Sequence, residues 1–345
     1  MTAKNKVHLM IESSISTGFY NFIQKEFDKS LHWFYFVNSG NGHGEKSCKG
    51  DTVLDNTTAL KMVYKADQIF VHSLNYKMLL FLMIQPWLLH KVNWIIWGGD
   101  LYYFNKPKTT LKTKVFEFVR AFVIKRIGVI ISYPTGDYEL AKKWYNTRGE
   151  FKKCLYYPYF AVEDYLKHID VSGEEENIIM IGNSADSSNE HLEVFDKISQ
   201  LEEINNYKII CPLSYAGKQT YIDTVITKGK ELFGDRFVPL VDFMNSDEYY
   251  KLLSTVKIVI MAHKRQQATG NILSLIKFKK KIYIRNNIST WDFYKENGIK
   301  IFDYYNLEDD LFIPMKDEFK EQNRSAIKNN FTYSRVISEW KDIFK

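Results

Sequence analysis

Short apolar runs rich in β-branched residues recur along this chain, and each is followed by a longer segment with helical periodicity. The clearest run is Ile178–Ile181, which is apolar at every position. Strands of this kind are typical of parallel sheets that helices cover on both faces. The alternation therefore predicts an α/β fold of doubly wound, Rossmann-like sheets.

The runs fall into two series, separated by the polar, aperiodic stretch Lys167–Asn177, which we interpret as a linker. We predict strands at Val7–Ile11, Trp33–Val37, Gln68–His72, Trp94–Trp97, Val129–Ser132 and Leu155–Tyr157, then Ile178–Ile181, Lys208–Cys211, Phe237–Val241, Ile258–Ala262, Lys281–Arg285 and Ile299–Phe302. The expected domains are residues 1–168 and 175–330, facing a central cleft. A final helix at 331–345 is expected to pack back on the first domain.

The composition agrees with two domains, and the sequence also indicates the cellular compartment. The 345 residues are 45% hydrophobic, enough for two full cores. Cys48, Cys154 and Cys211 are widely spaced, so neither a disulfide framework nor a zinc site is indicated. No signal-peptide pattern is seen, and the longest apolar stretch, Met78–Leu89, falls short of the ~20 residues that span a bilayer. We expect a cytoplasmic protein without a transmembrane helix.

A net charge of +6 is modest for this length. It permits an anionic substrate or contact with a membrane surface, and no nucleic-acid-binding motif accompanies it. We therefore expect no nucleic-acid partner.

The loop after Ile178–Ile181 has the pattern of a phosphate site. Gly182 allows a ligand close to the backbone, and Ser187 with Glu190 has capping-box spacing for a helix whose amides point outward. An ordinary capped βα turn has the same pattern. The candidate ligand-binding residues here are Gly182, Asn183, Ser184, Asp186, Ser188, Asn189 and Glu190.

A second candidate loop follows the predicted strand Ile258–Ala262. Arg265 can contact a diphosphate through two nitrogens, while Gln266 and Gln267 can donate to phosphate or sugar oxygens. Gly270, near the start of the next helical pattern, permits close approach of the backbone. The alternative is a solvated basic loop. If both loops lie on one edge of one sheet, they can hold one nucleotide.

Two candidate bases lie in the first domain. Asp100 follows Gly98 and Gly99 at the end of a predicted strand, where a carboxylate can deprotonate or orient an acceptor hydroxyl. The alternative is a helix-capping aspartate. His72 ends another predicted strand and is a second candidate, although a lone buried histidine is more often structural.

The segment Thr110–Ile127 combines an apolar helical face with dense basic residues, a pattern typical of membrane-surface helices. The alternative is a core helix with a solvated face. The apolar face comprises Leu111, Val115, Phe118 and Phe122. The basic residues are Lys108, Lys112, Lys114, Arg120, Lys125 and Arg126.

Three ordered motifs together resemble one family. They are Ile96-Trp97-Gly98-Gly99-Asp100-Leu101-Tyr102, Gly182-Asn183-Ser184-x-Asp186-x-Ser188-Asn189-Glu190-His191 and Arg265-Gln266-Gln267-x-x-Gly270, with Pro212-x-x-Tyr215 and Tyr221-Ile222 between the last two. The chain resembles glycosyltransferase family 56, the TDP-N-acetylfucosamine:lipid II N-acetylfucosaminyltransferases. The resemblance runs from about His72 to Phe302 and adds Tyr215 to the candidate donor-binding residues.

The resemblance implies a GT-B architecture and a TDP-sugar donor held mainly by the C-terminal domain. It also implies a polyprenyl-diphosphate-linked acceptor in the synthesis of enterobacterial common antigen, or of a related surface polysaccharide. We expect a metal-independent enzyme, peripherally associated with the inner face of the plasma membrane. Two other functions stay open on the same fold: a nucleotide-sugar epimerase and a non-catalytic sugar-binding protein.

Overall fold

The computed structural model describes residues 4–37, 51–156, 160–162, 166–167 and 174–345. The chain forms two compact units. Unit 1 comprises Met1–Pro158 and Ser334–Lys345, and unit 2 comprises Tyr159–Tyr333. The chain therefore leaves unit 1, builds unit 2, and then returns to unit 1.

Unit 1 contains one parallel sheet in the order β2-β1-β3-β4-β5-β6. Because β1 pairs with both β2 and β3, the direction of winding reverses between β1 and β3. The strands are β1 Lys6–Ile11, β2 His32–Val37, β3 Gln68–His72, β4 Val92–Ile95, β5 Val129–Ser132 and β6 Glu150–Lys153. The helices are α1 Ser14–Glu26, α2 Asn56–Lys65, α3 Tyr76–Met83, α4 Leu111–Ile124 and α5 Thr135–Tyr145.

Unit 2 contains a second parallel sheet in the order β12-β11-β10-β7-β8-β9, so that winding reverses between β7 and β10. The strands are β7 Ile178–Ile181, β8 Lys208–Pro212, β9 Phe237–Leu240, β10 Ile258–Met261, β11 Lys281–Ile284 and β12 Phe302–Asp303. The helices are α6 His191–Ile198, α7 Gln219–Phe233, α8 Ser246–Thr255, α9 Thr269–Lys277, α10 Ser289–Glu296, α11 Leu307–Asp310 and α12 Asp317–Asn330. Helix α13, Tyr333–Ile343, completes the chain of elements.

Burial explains why the strands formed where the sequence predicted them. Strands β7, β10 and β11 are buried at every position, as expected for central strands covered by helices on both faces. Local signals set several helix ends. The Asn75 side chain accepts from the backbone amide of Met78 at the start of α3, and α7 ends at Gly234, whose φ is 56°.

The sixth strand was predicted in the wrong place. It runs over Glu150–Lys153, whereas Leu155 and Tyr156, part of the predicted strand, lie beyond it. Strand β6 is a polar edge strand that pairs only with β5, so it lacks an apolar signal. The Leu155 amide instead donates to Glu339 Oε2, and its carbonyl accepts from Trp340 Nε1, both on α13.

Helix α13 packs on unit 1 through large aromatic side chains. Trp340 is fully buried, and Phe344, just after the helix, lies with its ring centroid 4.6 Å from that of His32. Both side chains close the face of the sheet that carries His8 and Phe70. The last described segment of the chain is thus part of the core of the first unit.

No helix among the described residues is long and apolar enough to cross a membrane. Two cysteines, Cys154 and Cys211, are buried free thiols, and burial raises the pKa of each well above its usual value. The third, Cys48, lies outside the described residues, as does part of the expected linker Lys167–Asn177.

Candidate active site

Both candidate loops of unit 2 lie at the point where its sheet reverses direction. The loop that begins at Gly182 follows β7, and the loop that begins at Ala262 follows β10, the neighbouring strand. In open α/β sheets, ligands bind beyond the carboxyl ends of the strands at this reversal. The topology therefore places both predicted loops at the preferred ligand-binding position.

Glycine is required at position 182 because of the backbone conformation there and because two side chains lie close to it. Its φ is +70°, and a Cβ atom at this position would lie 2.6 Å from His191 Nε2 and 3.1 Å from Asn189 Oδ1. His191 is fully buried, so the ring has no room to withdraw. Only glycine fits at the first position of this loop.

The capping box predicted from Ser187 and Glu190 does not form. Instead the Asp186 side chain accepts from the Ser188 amide and caps a short 3-10 turn, and α6 begins only at His191. Glu190 adopts φ 55°, in the left-handed region, and no side chain caps α6. The sequence spacing was correct for a capping box, but the additional turn takes its place.

Asn189 organises the loop from inside. Its buried side-chain amide donates to the carbonyl oxygens of Ser184 (2.9 Å) and Asp186 (3.0 Å) and lies 3.2 Å from Ser184 Oγ. Its oxygen accepts from the Asn183 amide at 3.2 Å. These bonds fix the path of the backbone from residue 183 to residue 189.

Gln267 joins the second loop to the first. Its Nε2 donates to Asn183 Oδ1 at 3.0 Å and to Asn189 Oδ1 at 3.1 Å, and its Oε1 accepts from Ser188 Oγ at 2.9 Å. Arg265 adds a second link, because its Nε donates to Ser188 Oγ at 3.2 Å and its Nη2 lies 3.4 Å from Asp186 Oδ2. The two loops therefore form one hydrogen-bonded unit.

Helix α9 begins beside this unit with an uncapped amino terminus. It follows Ala268, whose φ is 58°, and no side chain caps its first amides. Gly270 lies in its first turn, and Gln266 is buried just before it. Uncapped amides at a helix start, which follows the loop that contains Arg265, make an arrangement suited to an anion.

Two tyrosines border the site, and only one was expected. Tyr215 accepts from Asn183 Nδ2 at 2.9 Å, as its place in the family motif suggested. Tyr249 accepts from Asn271 Nδ2 at 3.1 Å. Burial raises the pKa of both phenols, so both stay protonated at neutral pH. Nothing in the sequence around Tyr249 distinguished it from other tyrosines on a helix.

A charged cluster near the two loops was also not predicted from the sequence. Arg285, at the end of β11, contacts both carboxylate oxygens of Glu193 at 2.7 Å, and Tyr304 donates to the same carboxylate at 3.1 Å. Lys264 lies 3.2 Å from Glu190. These pairs connect residues far apart in sequence, which is why local spacing gave no sign of them.

His263 is the most unusual group near the site. It is fully buried, and neither ring nitrogen has a hydrogen-bond partner among the described residues. Burial, with smaller contributions from Arg265 and Arg285, lowers its pKa to about 3. The ring is therefore neutral at physiological pH.

In unit 1, Asp100 is held as a structural carboxylate. Its Oδ2 accepts from the Leu74 amide (3.0 Å) and from Trp94 Nε1 (2.8 Å), and its Oδ1 accepts from the amides of Trp97 (3.1 Å) and Leu101 (3.0 Å). The side chain is 7% exposed. With four donors on two oxygens, this carboxylate joins the segments that follow β3 and β4 and is poorly placed to accept a proton from a substrate.

His72 also occupies a structural position. Its Nδ1 lies 2.7 Å from the Tyr156 hydroxyl and its Nε2 lies 3.1 Å from His8 Nδ1, while His8 Nε2 lies 2.9 Å from His32 Nδ1. His72 is fully buried, and burial lowers its pKa to about 3. Both nitrogens are engaged inside unit 1, so the base predicted from sequence is a member of a buried chain of rings.

Sequence comparison identifies the family. The family model described as "4-alpha-L-fucosyltransferase glycosyl transferase group 56" matches residues 45–345. The chain belongs to glycosyltransferase family 56. The resemblance seen in the three motifs is thereby confirmed, and the protein is a glycosyltransferase.

Solved structures confirm the fold of this family 56 glycosyltransferase. WaaG, a glycosyltransferase involved in lipopolysaccharide biosynthesis, matches with a TM-score of 0.64 and 10% identity, over 98% of this chain and 99% of that chain. A glycosyltransferase from Rickettsia africae ESF-5 matches with a TM-score of 0.61 and 13% identity, over 99% and 98%. Sucrose-phosphate synthase from Thermosynechococcus elongatus gives 0.63 and 7%, over 99% and 98%. The fold class is GT-B, as the resemblance implied.

In this family 56 enzyme, the structure brings together most of the predicted donor-binding residues. Asn183, Asp186, Ser188, Asn189, Arg265 and Gln267 share one hydrogen-bond network, and Tyr215 joins it through Asn183. Glu190 faces Lys264 instead. Binding of a donor by these residues stays a prediction.

Proposed function

We propose that this glycosyltransferase moves a 4-acetamido-4,6-dideoxyhexose, N-acetylfucosamine, from a TDP-sugar to a polyprenyl-diphosphate-linked saccharide in the synthesis of a bacterial surface polysaccharide such as enterobacterial common antigen. The main support for donor binding by unit 2 is the link between the two loops where the strand order of its sheet reverses. Gln267 and Arg265 make this link. Membership of a fucosyltransferase family supports the 6-deoxyhexose.

Unit 2 holds the nucleotide diphosphate in this proposal. The diphosphate lies against the uncapped start of α9, where Arg265 and the first amides meet its charge. Departure of the sugar leaves negative charge on the diphosphate, and preorganised donors stabilise that charge as it develops. These groups supply what a divalent metal supplies in other transferases, so we propose metal-independent turnover.

Unit 1 binds the acceptor in this proposal, and Asp100 acts as a positioning residue. It holds the segments that follow β3 and β4, where an acceptor at the carboxyl edge of the sheet would lie. His72 supports the same edge from within the core. In this proposal a group other than these two side chains deprotonates the acceptor.

The lipid-linked acceptor implies contact with a membrane surface, and unit 1 carries a face suited to it. Helices α3 and α4 pack together, and both helices and the segment just after α3 expose large apolar side chains. We call this set the apolar face: Tyr76, Leu80, Ile84, Trp87, Leu111, Val115 and Phe118. Lys112 and Lys114 are exposed beside it and can meet anionic headgroups.

The test of the donor half is a thermal-shift series with TDP, UDP and GDP. A ligand that binds only the folded state raises the melting temperature by mass action. We expect selective stabilisation by TDP in the wild type and in Arg324→Ala, an exposed arginine on α12, and its loss in Arg265→Ala. Stabilisation by UDP or GDP instead would refute the TDP assignment.

Turnover assays test the remaining parts. With TDP-sugar and a short polyprenyl-diphosphate saccharide, transfer should continue in EDTA, and strict dependence on a divalent metal would contradict the proposed leaving-group stabilisation. An epimerase would convert the donor without acceptor, whereas the transferase requires both substrates. A non-catalytic sugar-binding protein would bind TDP-sugar and convert nothing.

A further inference from the structure

Unit 1 contains an apolar cavity that the proposed chemistry has not used. It has a volume of about 280 Å³ and lies between β1, β2, α2 and α3. Its buried floor is formed by Leu9, Ala59, Val63 and Met78. Tyr35, Val37 and Phe81 form half-buried walls, and Asn56, Leu60 and Lys77 form an exposed rim.

The polar part of the rim lies at one end of the cavity. Helix α3 follows the carboxyl end of β3, and α2 runs back toward the start of β3, so both helices begin at the carboxyl edge of the sheet. Asn56 is the first residue of α2 and Lys77 the second of α3. The apolar floor, which includes Ala59, Val63 and Met78, lies further along the two helices.

A cavity with an apolar floor and a polar rim at one end fits an amphiphilic ligand. An apolar group that enters the floor would place its polar end beside Lys77, at the edge of the sheet where ligands of such folds bind. Lys77 is exposed and forms no ion pair with any described residue. An anionic headgroup at this position would give its ammonium group a partner of opposite charge.

The volume indicates how large an apolar group the cavity can take up. An apolar cavity of about 150 Å³ holds one benzene ring, so a cavity of about 280 Å³ holds roughly ten carbon atoms by the same proportion. That corresponds to the first isoprene units of a polyprenyl chain, next to its diphosphate.

The sequence between β2 and the next described residue contains no large apolar side chain. Residues 38–50, which lie outside the described residues and follow β2, contain no Leu, Ile, Val, Met, Phe, Tyr or Trp. A cavity lined by apolar groups gains little from polar side chains. An external hydrocarbon group is the better occupant.

We propose that this cavity binds the phosphate-proximal isoprene units of the lipid-linked acceptor, with Lys77 beside the diphosphate. The inference rests on the proposed function, which supplies a polyprenyl diphosphate. Helix α3 connects the cavity to the apolar face, since Phe81 lines the cavity and Leu80, its neighbour, is exposed on that face. A polyprenyl chain can thus leave a bilayer along α3 and enter the cavity.

Calorimetric titration of the full chain with geranyl diphosphate tests the cavity. We expect binding with a negative heat-capacity change, tighter than for geraniol or for inorganic diphosphate, since each lacks one half of the amphiphile. Ala59→Leu fills the floor and should weaken binding by about tenfold or more. Lys77→Gln should weaken it by about fivefold, and Lys61→Gln, an exposed lysine on the same helix as Ala59, should leave it unchanged.

Leu60→Asp gives a second variant that disturbs the buried core less, because Leu60 is 46% exposed at the rim. Its carboxylate should repel the diphosphate and abolish binding. Equal affinity of wild type, Ala59→Leu and Leu60→Asp for geranyl diphosphate would overturn the inference, as would no binding to the wild type.

The nucleotide experiment separates the two proposals. If TDP stabilises the wild type but geranyl diphosphate does not bind, the cavity inference alone is refuted and the transferase proposal stands. If geranyl diphosphate binds in the Ala59-dependent manner while no nucleotide stabilises the protein, the amphiphile site is supported and the donor assignment is refuted.

Discussion

Gly182 provides a direct test of how tightly the donor loop is built. Gly182→Ala forces a side chain into a backbone with φ +70° and places its Cβ 2.6 Å from His191 Nε2. Gly298→Ala is a matched control, because its φ is +73° and no atom lies within 4 Å of the added Cβ. The control should cost about 1 kcal/mol of stability from backbone strain alone, and Gly182→Ala about 3 kcal/mol.

Urea denaturation of both variants measures the difference. In addition, Gly182→Ala should lose nucleotide stabilisation while Gly298→Ala retains it. Equal stability losses in the two variants would show that His191 yields easily and that the loop is not sterically fixed.

Asp100→Asn distinguishes a positioning carboxylate from a catalytic base. Each Asp100 oxygen accepts from two N–H groups, so an amide in its place leaves two buried donors facing another donor. We expect a loss of about 3 kcal/mol in unfolding free energy. Asp55→Asn, at an exposed helix cap where asparagine serves equally well, should change stability by less than about 0.5 kcal/mol.

The opposite result would assign a catalytic role to Asp100. If Asp100→Asn keeps its melting temperature and loses only kcat, the carboxylate acts on the acceptor and the base predicted from the sequence is restored.

Site residues could be predicted from the sequence where one segment contains the whole pattern. The two donor loops were found because glycine and polar residues follow buried strands, and the structure joins them through Gln267. It did not reveal that the Asp100 oxygens were already occupied, because their donors come from Leu74 and Trp94 as well as from neighbouring residues. Roles that depend on contacts between distant segments are not visible in local spacing.

At the scale of elements, α4 shows which face of an apolar helix meets the core. Val119, Val123 and Ile124 are buried, whereas Leu111 and Phe118 are 78% and 66% exposed. Arg120, predicted to be part of the basic surface, is buried and donates to the Asp100 carbonyl. The two interpretations of this segment, a membrane-surface helix and a core helix, each describe one face of the same helix.

The exposed face of α4 predicts binding to anionic vesicles. Leu111→Ser with Phe118→Ser removes two large apolar side chains and should reduce co-sedimentation with phosphatidylglycerol vesicles by about tenfold or more. Phe243→Ser is the control, since Phe243 is 84% exposed in unit 2 and should not matter. Equal sedimentation of all three proteins would contradict a membrane role for the apolar face.

Most strands were predicted within one or two residues because the strands of a parallel sheet that is covered by helices are largely apolar. Strands β3, β5 and β7 match their predicted bounds. The misplaced strand, β6, lies at the sheet edge and is polar. The apolar pair Leu155 and Tyr156 imitated a strand because α13, far away in sequence, buries it. Long-range packing, not local preference, decided this element.

At the scale of the whole molecule, buried histidines make folding sensitive to acid. Burial lowers the pKa of His32, His72 and His263 to about 3 and that of His191 to about 4, and it lowers the pKa of His8 well below its usual value. In the unfolded chain the same rings titrate near 6.5. As pH falls below about 6.5 the unfolded state binds protons first, so stability that is complete above this pH is lost progressively.

Each such histidine should contribute about 1.4 kcal/mol per pH unit to that loss. His263→Leu offers a clean measurement, because the ring nitrogens have no partner among the described residues. Urea denaturation between about pH 6.5 and pH 4.5 should show a slope smaller by about that amount in His263→Leu. An unchanged slope in His263→Leu would mean that His263 binds its proton as readily in the folded state as in the unfolded state.

The return of the chain to unit 1 has a consequence for biosynthesis. On the ribosome, the strands of unit 1 emerge first, but the aromatic residues that seal their histidine-bearing face, Trp340 and Phe344, are translated after all of unit 2. Unit 2 can therefore reach its native state while unit 1 still exposes Phe19, Phe70 and His8. The unit that is translated first is therefore the one whose core is completed last.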